Sequence, residues 1–287
     1  MQLEGRRQSS NVEDRRGSSA GKIGGGIGLG GAIIVGLILL LTGQDPTQVL
    51  SYINEGDITS GQTTEYIESA EDKELYEFAS VILAGTEDVW TAIFKQNNLE
   101  YIPPKLVIFD GAVQSGCGGA TAQSGPFYCS ADQCVYLDLS FFKDMQRQLG
   151  TSGDFAWAYV IAHEVGHHVQ YLLGTLDQVN QKRARASEKE ANKLSVRLEL
   201  QADFYAGIWA YYDNKNYHSL ETGDIEEGLN AATAIGDDRL QKQAYGRTVP
   251  DSFTHGTSAQ RTKWLKKGLT TGNPALGDTF SPNYNDL

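Results

Sequence analysis

The chain has 287 residues, enough to bury one sizeable core and carry appendages besides. Its 36 acidic and 24 basic residues leave a formal charge of −12, which excludes the clustered Lys and Arg that phosphate backbones require, so no nucleic-acid partner is expected. Hydrophobic residues at 40% exclude a chain that is disordered throughout.

Residues 1–22, MQLEGRRQSSNVEDRRGSSAGK, hold almost nothing to bury and read as a disordered tail. No charge occurs from Ile23 to Gln44, and AIIVGLILLL is the most apolar part of that run. About 20 such residues cross a bilayer, so residues 23–43 are expected to form one transmembrane helix in contact with lipid. Arg6, Arg7, Arg15, Arg16 and Lys22 precede the run, whereas Asp45, Glu55 and Asp57 follow it. The positive-inside rule then puts the N-terminal tail in the cytoplasm and the rest of the chain outside. LLLTGQDP offers no A-x-A-like cleavage site, which favours an uncleaved, single-pass anchor. Residues 44–70 lack a sustained period and read as a linker, leaving 71–287 as the folded domain.

AEDKELYEFASVILAGTEDVWTAIFKQ carries Leu75, Phe78, Ala79, Ile82 and Leu83 at helical spacing, and KLVIFDG alternates as a short strand. Cys117, Cys129 and Cys134 all lie in CGGATAQSGPFYCSADQC, a Gly/Ser-rich loop beyond the apolar run, where oxidation is permitted. A zinc knuckle is the rival reading, but no histidine lies nearby and three thiols are an incomplete set. The residues favour one disulfide with one cysteine left over.

Three of the chain's five histidines fall in AHEVGHHVQYLLG, residues 162–174. DFAWAYVIAHEVGHHVQYLLG has the length and composition of a mostly buried helix ending at Gly174. At 3.6 residues per turn, His163 and His167 stand one above the other, so both imidazoles can reach a single zinc ion. Glu164 points to the neighbouring side, where a carboxylate can act as a base without ligating the metal. His168 is about 100° around the helix from His167 and suits a structural role better than ligation. A zinc site needs a further protein ligand. The long helix SEKEANKLSVRLELQADFYAGIWAYY supplies Glu199, with Asp203 four positions on and on the same face. Leu198, Leu200, Phe204, Ile208 and Trp209 surround the pair, so an unpartnered carboxylate there would be costly. Glu199 as third ligand, with Asp203 accepting the free ring N–H of a ligand histidine, relieves that cost. Near the end, DSFTHGTSAQRTKWL offers His255 and Arg261 as donors to an oxyanion. Taken alone they are equally a loop histidine and a helix-start arginine.

With these elements the chain resembles the bacterial "putative neutral zinc metallopeptidase" family of membrane-anchored proteins. The resemblance is carried by GRRQSSNVEDRR, the apolar run, SGPFYCSADQCVYLDLSFF, HEVGHHVQ, ELQADFYAGIWA and PDSFTHGTSAQR. The order H-E-x-x-H, E-x-x-A-D, H-x5-R is also similar to gluzincin peptidases of the integral-membrane CAAX-protease and heat-shock kind. Those usually have several spans against one here, so their lipidated substrates do not carry over. The resemblance implies one zinc ion on His163, His167 and Glu199, with Glu164 as base and Asp203 orienting a ligand. It further implies that His255 and Arg261 assist near the oxyanion or substrate, and that Cys117 pairs with Cys129. Cys134 departs from the family's pattern. The implied architecture is α+β: a zincin-like, mostly helical domain with a small sheet, whose edge strand CVYLDLSFF pairs with extended substrate.

The function expected is that of a single-pass zinc endopeptidase of the bacterial inner membrane, acting on protein or peptide substrates on the periplasmic side. The alternative is a zinc-binding scaffold that serves envelope protein partners. A scaffold could lose Glu164 without losing metal, and Glu164 is present.

Overall fold

The computed structural model describes residues 1–17, 66–151 and 153–287. The apolar run at 23–43 and most of the expected linker lie outside the described residues. Among those described, no helix is long and apolar enough to cross a membrane.

Helix α1, Ala70–Gln96, begins at a capping box in which Ser69 and Asp72 satisfy each other's backbone N–H. Its apolar stripe, including Leu75, Ala79, Ile82, Leu83 and Trp90, enters the main core. Strands β1 (Val12–Asp14), β2 (Lys105–Phe109), β5 (Phe127–Cys129) and β6 (Cys134–Asp138) form one mixed sheet in the order β1-β2-β6-β5. β1 and β6 run parallel to β2, and β5 runs antiparallel to β6 at the edge. Period-2 alternation divides the two faces. Leu106, Ile108, Val135 and Leu137 join the main core, whereas Val107, Phe109 and Tyr136 pack in a second cluster with Val113 and Ala120. Those last two come from the hairpin β3 (Ala112–Ser115) and β4 (Gly118–Thr121).

Short helix α2, Ser140–Asp144, leads toward α3, Asp154–Leu172. Then follow α4 (Thr175–Arg183), α5 (Glu188–Tyr217), α6 (Asp224–Ala234), α7 (Asp237–Tyr245) and α8 (Ser258–Thr271). The long α5 is the spine, packing against α3, α8 and α1. It approaches α3 closely because Gly166 lacks a side chain: a Cβ there would lie 3.0 Å from the Ala202 carbonyl oxygen. The described fold is mostly helical with a small mixed sheet, as expected.

The N-terminal segment corrects the sequence reading. Residues 1–17 are not a disordered tail but an ordered arm. Val12, Glu13 and Asp14 pair with Leu106, Val107 and Ile108, adding a strand to the sheet. Arg6 grips Asp213 through two bonds of 2.6 and 2.9 Å, and Arg7 reaches Asp88 at 2.8 Å and Glu87 at 2.9 Å. Arg16 binds Asp14 at 2.6 Å and Glu68 at 2.8 Å. Composition misled because the arm is held by backbone pairing and charge partners, neither of which demands apolar residues.

Candidate metal centre

Helices α3 and α5 bring His163, His167 and Glu199 together, with one ligand atom from each lying within 4.8 Å of the others. His163 Nε2 is 3.2 Å from one Glu199 oxygen and His167 Nε2 is 3.5 Å from the other. The two imidazoles sit 4.8 Å apart, centre to centre, at nearly a right angle.

The far side of each ring is occupied. His163 Nδ1 donates to Asp203 Oδ1 at 2.8 Å. His167 Nδ1 donates to Gln170 Oε1 at 2.9 Å, and the Gln170 amide is oriented in turn by its own bond to the Leu198 carbonyl at 2.7 Å. Partners that accept at Nδ1 place the proton there and leave both Nε2 lone pairs turned toward Glu199. Two imidazole nitrogens and a carboxylate oxygen, pre-oriented in this way, fit a zinc ion.

Asp203 is fully buried and accepts four bonds: from His163, from Tyr159 at 2.6 Å, and from Arg261 Nε and Nη2 at 2.8 and 2.9 Å. Burial would raise its carboxyl, but the Arg261 charge and the His163 bond outweigh it and hold it near 2. Arg261 is therefore engaged behind His163, and this placement differs from the expected one beside the substrate. Burial lowers His163, yet the Asp203 and Glu199 carboxylates outweigh it and raise the imidazole to about 10. A metal must compete with a proton for that nitrogen.

Glu164 is buried close to His163 and Glu199. Burial, attenuated by His163 and reinforced by Glu199, pushes its carboxyl up to about 7. His255 lies close enough for its charge to help lower Glu199. Its loop is tied by Asp237 Oδ2, which accepts the backbone N–H groups of Thr254, His255 and Gly256 at 2.8, 2.7 and 2.9 Å.

His168 points the other way. Its Nε2 donates to the Ile102 carbonyl at 2.7 Å and its Nδ1 accepts from the Tyr128 hydroxyl at 2.9 Å. Cys117 and Cys129 are bridged, with Cα atoms 5.8 Å apart. Cys134 is a buried free thiol directly across from Cys129 in the β5–β6 pair, and burial with the Asp132 charge raises it to about 11.

The sequence reading missed Tyr128, Tyr159, Gln170 and Asp237. Tyr159 is one turn before His163 and Gln170 is three residues after His167, so helical spacing could have found both. Nothing in the sequence links Asp237 to a histidine 18 positions on or Tyr128 to a different helix.

A family model described as "Putative neutral zinc metallopeptidase" matches residues 1–280. The chain belongs to this family. The match includes the N-terminal arm, consistent with the arm's place in the sheet. Relatives in the family include the uncharacterized protein YpfJ of Escherichia coli strain K12, 50% identical over 285 residues, or 98% of this chain and 99% of that one. The uncharacterized protein Rv2575 of Mycobacterium tuberculosis strain H37Rv is 40% identical over 257 residues, covering 84% of this chain and 85% of its own. No solved structure matches.

Proposed function

We propose that this family member is a zinc-dependent endopeptidase with a zincin-like domain, holding one zinc ion on His163, His167 and Glu199. Bound there, zinc would supply a Lewis acid that polarises a peptide carbonyl and acidifies water. The chain's own residues supply the rest. Glu164 takes a proton from the attacking water and passes it to the leaving amine, a dual role suited to a carboxyl raised to about 7. Edge strand β5, which packs against α3, offers its backbone to an extended peptide. This differs in strand from the expectation, since CVYLDLSFF is β6 and lies inside the sheet. His255, fixed through Asp237, donates to the developing oxyanion. Arg261, Tyr159 and Asp203 keep His163 in its tautomer, which makes Arg261 a positioning residue.

The observation that carries this reading is the pairing of both Nδ1 atoms, which turns two Nε2 atoms and the Glu199 carboxylate toward one point. The test is zinc content together with cleavage of a peptide library by the full chain and by its Glu164→Gln variant. Zinc in both and cleavage only by the unsubstituted chain supports the peptidase; zinc in both and cleavage by neither favours the scaffold. We also infer, from the apolar run 23–43 and the Cys117–Cys129 bridge, that the protein meets a bilayer and that its domain faces an oxidising compartment.

A further inference from the structure

The arm and the metal-binding domain are one folded unit, and the two ends of the chain between them meet. Gly17 and Tyr66 are in contact: a Cβ on Gly17 would fall 2.6 Å from the Tyr66 Cβ. Arg16 bridges the same gap. Its guanidinium lies over the Tyr66 ring at 5.1 Å, and it bonds the Tyr66 hydroxyl at 3.0 Å and Glu68 at 2.8 Å. The hydrocarbon core of a bilayer is about 30 Å thick, so one crossing would hold these ends that far apart. Two crossings need roughly 40 apolar residues. Beyond Gln44 the sequence up to the described residues carries Asp45, Glu55, Asp57 and Glu65, with no second apolar run.

We infer that residues 1–17 and 66–287 lie on the same side of any membrane the chain meets. This rests on the reading that the run contacts a bilayer, and it replaces the single-pass arrangement with a cytoplasmic tail. The charge argument behind that arrangement also changes. Arg6, Arg7, Arg15 and Arg16 are each paired with a carboxylate of the fold: Asp213, Asp88, Glu13 and Asp14. These carboxylates offset the arm's positive charge, which therefore gives no net basic excess to orient it in the membrane. The Arg6–Asp213 pair also resists opening, because Asp213 is fully buried and would be left without its counter-charge.

The test uses the full chain in spheroplasts. Exposed Ser10 and exposed Lys266 are replaced singly by cysteine, with Glu4→Cys as a second arm position should Ser10→Cys fold poorly. The natural thiols give little background, since Cys134 is buried and the other two are bridged. A membrane-impermeant maleimide is expected to label the arm and α8 positions together, or to reach neither until lysis. Labelling of one position with protection of the other would overturn the inference. Carbonate extraction in parallel reports whether the protein is membrane-bound at all, so failure of lipid contact is read separately from failure of sidedness.

Discussion

His167 and His168 are neighbours in the chain and occupy opposite environments. His167 faces α5, with one ring nitrogen held by Gln170 and the other 3.5 Å from Glu199. His168 faces the sheet with both nitrogens committed, one to the Ile102 carbonyl and one to the Tyr128 hydroxyl. Burial pulls His168 down to about 4, only partly offset by the Ile102 bond, so it stays neutral. The 100° step between adjacent helical residues produces this division. A ligand is recognised by a nitrogen with no other partner aimed at other such donors, and closeness to the motif is not enough. The Tyr128 hydroxyl that holds His168 comes from the edge strand β5.

The metal-facing side should respond in activity and metal, and the sheet-facing side in stability. The largest effect is expected for Glu164→Gln, which removes the base and no ligand: peptide cleavage should drop by about 10²–10⁴, with zinc content and thermal unfolding little changed. A retained rate would remove Glu164 from the chemistry. Next, Asp203→Asn removes the negative charge facing His163 and Arg261 and turns one of its two acceptor oxygens into an NH2 donor. Zinc affinity, measured by chelator competition, should weaken about 10–100-fold, and loss of the buried pair should cost about 3–5 kcal/mol in denaturant unfolding. Smaller again is Gly166→Ala, whose added Cβ presses on the Ala202 backbone and should cost about 1–3 kcal/mol. Because it moves α3 against α5, zinc affinity should fall with it. The smallest effect on the site is expected for His168→Phe, which breaks the bonds to Ile102 and Tyr128 and should cost about 1–3 kcal/mol while zinc remains stoichiometric. A His168→Phe protein that lost its metal would erase the contrast between the two faces.

Much of the centre was legible in the sequence because helices impose a fixed period. H-E-x-x-H at 163–167 and the Glu199/Asp203 spacing each reduce to two residues on one helical face, and the structure brings those faces together. What stayed hidden depends on pairs distant in sequence. Arg261 was expected near the oxyanion because nothing local shows that its guanidinium meets Asp203 on another helix. The arm was read as disordered because its order comes from β2, some 90 residues on, and from carboxylates on α1 and α5. Tyr128 escaped notice because β5 is three residues long, too short for alternation to mark a strand.

The central claim is that His163, His167 and Glu199 form the metal set. It is tested most directly by zinc stoichiometry in four purified proteins: the unsubstituted chain, Glu164→Gln, His168→Phe and Glu199→Gln. The account predicts one zinc per chain in the first three and a marked loss in Glu199→Gln. Full zinc in Glu199→Gln, with loss in His168→Phe, would contradict it.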